Sequence, residues 1–406
     1  MKVAIINSLY APYQVGGAER SVEMLAQGLV AKGMDVSVVS LHEGQNVVRE
    51  TRDGVAVWRL PLRNAYWPFD LAKRTPIQRL TWHLRDMYNA AAAADLRRAL
   101  LEIGPTVVHT NNLAGFSISA WSTIASLRLP IVHTARDYYL LHPNSTLFVA
   151  GVTQDAAGLV PRLWSMVKKR AGRRVSAFVA ISNYVKDIHQ RNGHFARSDS
   201  FVVHNSVSLP SAPAARMFAT DTPRIFGFIG RLDPSKGVEL LLDAARRAPA
   251  TQWRIAGGGR PEYVAALKES APDNVVFLGH QDPPVFFAQV DVLVVPSMWA
   301  EPLGRVVLEA YAHGVPVLAS GLGGLADVVD VGRTGWHFDV RDIDSLLDAM
   351  HRVQGADIAT MSAACLARAQ DFSVSAIAGQ YLSIYRAALA GLRTEGAQAA
   401  SQGGRQ

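Results

Sequence analysis

The chain has a single cysteine, Cys365, among 406 residues. No internal disulfide is available, and a reducing, cytoplasmic setting is the natural reading. A run of about 18 apolar residues is also missing, which excludes a transmembrane helix. Met1-Lys2 leads directly into VAIINS, too short for the apolar stretch of a signal peptide. There is no D-x-D after a strand and no paired histidines, so no metal site is expected. Helix-turn-helix, zinc and RNA-recognition signatures are likewise missing, and nucleic acid is not an expected partner. Charge of one sign is only slightly in excess: 41 Lys and Arg against 34 Asp and Glu leave +7. That suits a phosphate-bearing substrate or an anionic membrane surface, and the placement of the charge must decide.

Apolar residues, by contrast, make up 49% of the chain, enough for two sizeable cores. Short Val- and Ile-rich segments alternate with helical patterns twice over. The first half offers strands at 2–8, 35–41, 55–61, 107–111, 130–136, 175–182 and 200–206, with helices at 17–32 and, as one long run, 77–102. The second offers strands at 224–231, 253–258, 275–279, 291–297 and 316–320. Buried strands alternating with helices predict parallel sheets covered on both faces. The expected fold is therefore α/β, with two doubly wound domains facing each other across a cleft. Residues 1–207 form the first and 224–372 the second. The proline-punctuated stretch 208–223 reads as a linker, and 391–406, rich in Gly, Gln and Ala, as a disordered tail.

Three stretches carry chemistry. In LYAPYQVGGAER (9–20), Gly16-Gly17 opens a helix whose free amides and dipole favour an anion. It is neither the G-x-G-x-x-G fingerprint nor a P-loop, which lowers NAD-dependent and NTPase readings. In GFIGRLDPSKG (227–237), Arg231 and Lys236 flank a tight Asp-Pro turn just after a strand. Two cations there can clamp a diphosphate that leaves with growing charge. In EPLGRVVLEAYAHGVPVLAS (301–320), Glu301 and Glu309 stand eight apart around Pro-Leu-Gly. If Glu301 sits at the helix mouth, with Pro302 in the first turn, the rise between the carboxylates is roughly 12 Å. That is about the span from the sugar to the ribose of a bent nucleotide-sugar. The amides of Leu303, Gly304 and Arg305 would then point at anionic or hydroxyl groups.

With the loop GGAER, the motif GRLDPSKG and the motif EPLGRVVLE in this order, the chain resembles the retaining glycosyltransferases of family 4. The likeness runs from about residue 1 to 390. It implies the GT-B architecture of two Rossmann-like domains, with a C-terminal helix near 373–390 crossing back onto the N-terminal domain. It also implies that Arg231 and Lys236 hold the donor diphosphate, helped by Gly230 and by the Gly16-Gly17 amides. On the same grounds Glu309 binds the ribose hydroxyls, Glu301 the transferred sugar, and Leu303 to Arg305 the donor sugar and phosphate. His280-Gln281 would edge the nucleobase. The implied donor is a UDP-, GDP- or similar nucleotide-sugar, with no further cofactor and no metal.

One departure matters. Where relatives often carry Thr-x-His-Asp at a strand end, this chain has Thr134-Ala135-Arg136-Asp137, and the strand's histidine is His133. Arginine cannot serve as a base at neutral pH, so Arg136 is expected to meet the leaving phosphate or an anionic acceptor. His109 and Asn111, in VVHTNN, are the other acceptor-side candidates, with His109 expected to face the cleft.

The acceptor is suggested by two basic stretches. Residues 160–175 hold six Lys/Arg and no acid, and residues 58–85 hold six more with one Asp and the aromatics Trp58, Tyr66, Trp67, Phe69 and Trp82. Basic amphipathic segments with Trp suit adsorption on anionic lipid, and a solvated basic face is the plainer alternative. The expected activity is transfer of a hexose-type sugar to a glycan or lipid-linked glycan, in cell-surface polysaccharide or glycolipid assembly. A sugar-nucleotide epimerase or hydrolase on the same fold is the competing reading.

Overall fold

A computed structural model describes residues 1–13, 16–70, 72–149, 151–211 and 224–403, with the backbone alone over 392–403. The chain divides into two compact units. The first comprises Met1–Leu147, Gln154–His204 and everything from Val374 onward; the second comprises Phe148–Thr153 and Asn205–Ser373. Most of the expected linker, 212–223, lies outside the described residues.

The first unit is built on an eight-stranded sheet in the order Asp199–Val202, Ala177–Ala180, Ile131–Ala135, Val107–Thr110, Lys2–Ile6, Asp35–His42, Val55–Pro61 and Val48–Arg52. Every neighbour pair is parallel except the last, where Val48–Arg52 lies antiparallel along Val55–Pro61. That edge strand was not expected from sequence. Its five residues are all exposed, so VRETR carries no alternation to betray it. Inner strands are buried on both faces, which is why they read as continuous Val/Ile runs.

The expected helix over 77–102 is in fact two, Pro76–Met87 and Ala90–Ile103. Asn89 breaks the run: its side chain accepts from the amide of Ala92 at 3.1 Å and caps the second helix. At the other end of the chain, Val374–Gly403 is helical. It crosses most of the stretch expected to be a disordered tail, where alanine favours helix; 404–406 lie outside the described residues. Ile377, Tyr381, Ile384 and Tyr385 of this helix enter the same core as Val22, Leu25 and Leu29 of Gly17–Ala31.

Gly28 lets these two helices approach. A Cβ added there would stand 2.7 Å from Val374 Cγ1 and 3.0 Å from Ala378 Cβ. Gly28→Val is therefore expected to overpack the interface at a cost of about 1–3 kcal/mol, lowering the thermal midpoint by several degrees. An unchanged midpoint would mean that the C-terminal helix does not seat on this face.

The second unit carries six parallel strands in the order Val275–Gly279, Gln252–Ala256, Ile225–Ile229, Val292–Val295, Val317–Ser320 and Gly335–Phe338. The last, GWHF, was not expected, having no β-branched residue to mark it. Numbered along the unit, the order is 3-2-1-4-5-6, the doubly wound Rossmann arrangement. Its direction of winding reverses between Ile225–Ile229 and Val292–Val295, and ligands of such sheets bind beyond the carboxyl ends of the strands at that point. Phe226 and Trp253 stack beneath it with ring centroids 5.0 Å apart.

Candidate functional site

Two loops leave the sheet of the second unit at this reversal. Gly230–Gly237 follows the strand Ile225–Ile229, and Ser297–Gly304 follows Val292–Val295. The first is shaped by Asp233, whose Oδ1 accepts from the Ser235 amide at 3.1 Å. The short 3-10 turn Pro234–Lys236 then delivers Lys236 inward. Burial works against the charge of Asp233, but its hydrogen bonds from Ser235 and the nearby Arg231 and Arg260 hold its carboxyl below the usual range.

The two loops are pinned together. The Met298 amide donates to the Ser235 carbonyl at 2.9 Å. Gly237 has φ +70°, and a Cβ there would stand 2.1 Å from the Pro296 carbonyl oxygen, so no other residue fits this approach. The consequence is a contact between groups 65 residues apart in sequence: Lys236 Nζ donates to Glu301 Oε1 at 2.6 Å. Ser297 Oγ donates to the same oxygen. Glu301 is buried, and both bonds fall on Oε1, so Oε2 remains able to accept from a ligand hydroxyl. Ser297 was not singled out from sequence, although it lies four residues before the glutamate on the end of a recognisable strand.

The helix that follows begins later than expected. Arg305–Ala312 is preceded by Gly304 in the left-handed region, φ 82°, and Glu301 instead makes an isolated extended bridge with Gly323. Pro302 is not in the first turn, and the rise of roughly 12 Å, which counts every residue from 301 to 309 as helical, does not apply. Glu301 was wrongly placed because the Pro-Leu-Gly segment is itself the loop. Glu309 sits one turn into the helix, where its Oε1 accepts from Arg305 Nε at 2.8 Å. Arg305 also donates to the Ser206 carbonyl at 3.4 Å. Leu303 is buried and supports the loop from below.

The remaining donor-side candidates of this unit surround the same strand ends. Gly230 donates its amide to the Ala256 carbonyl at 3.1 Å, and Arg231 is exposed beside it. His280 is exposed just after Val275–Gly279, and Gln281 Nε2 donates back to the Leu278 carbonyl at 3.1 Å. The arrangement offers cations, a positioned carboxylate and a helix start at one sheet edge, which is chemistry for a sugar bearing a diphosphate.

In the first unit, Gly16 and Gly17 stand at the start of Gly17–Ala31, as expected. The Gly16 amide is occupied, donating to Glu19 Oε2 at 2.9 Å. His109 does not face outward. It is fully buried, with Nδ1 2.7 Å from Tyr385 Oη and Nε2 2.7 Å from Thr134 Oγ1. Burial, then the charges of Arg136 and His133, hold its pKa well below the ordinary value. A neutral ring with both nitrogens engaged is a core group tying the C-terminal helix to the sheet, which corrects the expectation that it faces the cleft. Alternation explains the miss: on a central strand the histidine points into a helix layer rather than along the strand to its end.

His133 is buried too, 2.9 Å from Thr110 Oγ1 and stacked on Phe195. Asn111 and Arg136 do come together, Arg136 Nε donating to Asn111 Oδ1 at 2.9 Å. The buried Nδ2 of Asn111 has no hydrogen-bond partner among the described residues.

Comparison with known proteins gives matches over both units. A family model described as Glycosyltransferase Family 4 matches residues 15–210, and one described as Glycosyl transferases group 1 matches residues 223–355. An uncharacterized 42.6 kDa protein in the cps region of Klebsiella pneumoniae is 38% identical over 348 residues, covering 85% of this chain and 92% of that protein. The D-inositol 3-phosphate glycosyltransferase of Mycolicibacterium smegmatis is 32% identical over 305 residues, covering 71% and 68%. Among solved structures, the sucrose-phosphate synthase of Thermosynechococcus elongatus superposes with TM-score 0.73 at 23% identity, covering 96% of this chain and 99% of that one. Anabaena Alr3699/HepE in complex with UDP superposes with TM-score 0.71 at 19% identity, covering 95% and 100%. At these identities the two structures speak for the fold alone.

Proposed function

The chain belongs to glycosyltransferase family 4 and has its GT-B architecture, and from that premise we propose a retaining hexosyltransferase acting from a nucleotide-diphosphate sugar. The observation that carries the reading is the Lys236–Glu301 pair, held at the winding reversal of the second sheet. In this proposal Arg231 and Lys236 meet the donor diphosphate, with the Gly230 loop contributing backbone. Glu301 Oε2 accepts from hydroxyls of the sugar, and Glu309 from those of the ribose. Leu303 to Arg305 lie along sugar and phosphate, and His280 borders the base. The UDP held by the Anabaena protein supports a nucleoside-diphosphate donor, of UDP, GDP or similar type.

The chemistry asked of these residues is modest. The bond from the anomeric carbon to the diphosphate oxygen breaks, and the acceptor oxygen attacks from the same face. The acceptor's proton passes to the departing phosphate. Lys236 and Arg231 stabilise the charge that grows there, where fixed cations are most effective. Arg136 and Asn111 are assigned to the acceptor side. A glycan or lipid-linked glycan is the proposed acceptor, used in surface polysaccharide or glycolipid assembly at the cytoplasmic face of a membrane. No helix among the described residues is long and apolar enough to cross one.

A thermal-shift screen of nucleotide-sugars, followed by product analysis with and without acceptor, tests the activity. Transfer with retained anomeric configuration is expected. Epimerised or hydrolysed donor as the main product without acceptor would replace this reading with the epimerase or hydrolase. Because the charge stabilisation is assigned to side chains, EDTA should leave turnover largely unchanged. Loss on chelation, with recovery on adding magnesium or manganese, would show that a metal shares the work.

A further inference from the structure

The helices Pro76–Met87 and Leu159–Gly172 have their polarity reversed for a surface position. On the second, the residues turned inward include Ser165 and Lys168, while Leu159, Val160, Leu163, Met166 and Val167 are exposed. On the first, Trp82 and Asp86 are buried, while Ile77, Leu80 and Leu84 are exposed. These eight side chains are between 43% and 77% exposed, and they are eight of the 18 exposed large hydrophobics among the described residues. Random scatter would not place so many on two short helices. Spacings of three and four put each set on one helix face.

Buried polar bonds hold the helices in this orientation. Lys168 Nζ donates to the Tyr139 carbonyl at 2.8 Å and lies 3.5 Å from the Tyr139 ring centroid and 4.0 Å from that of Trp164. Tyr139 Oη donates to Asp86 Oδ2 at 2.6 Å, and Asp86 Oδ1 accepts from the Gly115 amide at 2.6 Å. Burial brings Lys168 down to about 7, with Asp86 and Asp137 pulling the other way. The helices touch through His83 and Trp164, whose ring centroids are 5.3 Å apart. Trp82 Nε1 donates to the Tyr66 carbonyl and Trp164 Nε1 to the Tyr139 carbonyl. Trp82 and Trp164 are therefore anchors, and the outward side chains of the two helices are aliphatic.

Charge identifies the occupant. Arg79, Arg85, Arg162, Arg170, Arg173 and Arg174 are exposed on or next to these helices, and none is in an ion pair among the described residues. Neither helix shows an exposed acid. An aliphatic face edged by unpaired arginines matches the acyl boundary and anionic headgroups of a bilayer.

We propose that the helix pair Pro76–Met87 and Leu159–Gly172 is the surface by which this protein docks on an anionic lipid bilayer, inserting the aliphatic residues between headgroups. This deepens the membrane-side setting proposed above and rests on it for its purpose, though binding is measurable without catalysis.

The full-length protein is to be mixed with vesicles of phosphatidylcholine alone and of equal parts phosphatidylcholine and phosphatidylglycerol, then separated by flotation. Wild type should float with the anionic vesicles at low salt and detach as salt rises. The variant Leu80→Ser/Leu163→Ser/Met166→Ser, whose changes are all at the surface, should bind at least about tenfold more weakly. So should Arg79→Ser/Arg162→Ser/Arg170→Ser/Arg173→Ser, with a shallower salt dependence. Both should keep their thermal midpoint and their turnover on a soluble acceptor. Wild type that ignores anionic vesicles overturns the proposal, as does binding that survives both variants. A dimer in sedimentation that the aliphatic variant dissolves, without vesicle binding, would assign the face to a second copy instead. If glycosyl transfer is not found but vesicles still bind through this face, the surface stands and only the catalytic reading fails.

Discussion

Lys236→Ala is expected to lower the turnover number by about 10²–10³-fold, the usual loss when one fixed group that stabilises transition-state charge is removed. The Michaelis constant should rise far less, because negative charge on the departing phosphate peaks in the transition state. This variant also strips the ammonium from buried Glu301. Removing one partner of a buried ion pair costs about 3–5 kcal/mol, even with Ser297 still bonded to the carboxylate, so lost activity alone could reflect lost folding. The pairing supplies the control. In Lys236→Ala/Glu301→Gln the buried charge is gone, and stability should return toward wild type while turnover does not. Recovery of both would reduce the lysine to a structural partner of Glu301 and remove it from catalysis. Lys236→Arg is expected to be intermediate, since a longer planar cation does not occupy the space of an ammonium.

Glu309→Ala should weaken binding of the nucleoside diphosphate by roughly tenfold or more, since a hydrogen bond to a charged group contributes about 1.5–3 kcal/mol. The Michaelis constant for the donor should rise with it, and turnover at saturating donor should fall much less, because the ribose takes no part in bond breaking. The carboxylate is ion-paired to Arg305, so the variant also removes that pair from an arginine that still donates to the Ser206 carbonyl. Arg305→Ala is the necessary companion: it keeps the carboxylate and removes the partner. If the arginine alone matters, Arg305→Ala will lose affinity while Glu309→Ala does not. Calorimetric titration of both variants decides this, and wild-type affinity in Glu309→Ala would remove the ribose assignment.

Much of this site was legible before any coordinates. Short motifs carry their own local chemistry: Asp233 before Pro234 makes a turn, Gly237 allows a close approach, and a strand ending at Val295 brings the following loop to the sheet's carboxyl edge. Local rules of this kind depend on a few neighbouring residues, and they placed Arg231, Lys236, Glu301 and Glu309 on one side of one unit. They could not show that Lys236 and Glu301 bond to each other, nor that Ser297 completes the pair.

Elsewhere the same local rules misled. The basic run Lys168-Lys169-Arg170 looks uniformly solvated, yet Lys168 is buried over Tyr139. Trp82 and Trp164 look like membrane aromatics, yet both are fastened to backbone carbonyls. His109 looks like a strand-end group facing the cleft, yet Tyr385 and Thr134 enclose it. In each case the partner comes from another element, out of reach of any window of neighbouring residues.

The division has a physical basis. Periodicity, glycine placement and turn chemistry are properties of short stretches, and they determined the two α/β units, the positions of most strands along the chain and the loops that bear charge. Which face of a helix turns inward depends on what the rest of the fold presents to it. The reversed helix Leu159–Gly172 follows Tyr139 rather than its own apolar stripe. Burial and pairing are decided by contacts distant in sequence, and so the neutral state of His109, the clamp between Lys236 and Glu301, and the outward aliphatic face were settled only by tertiary structure.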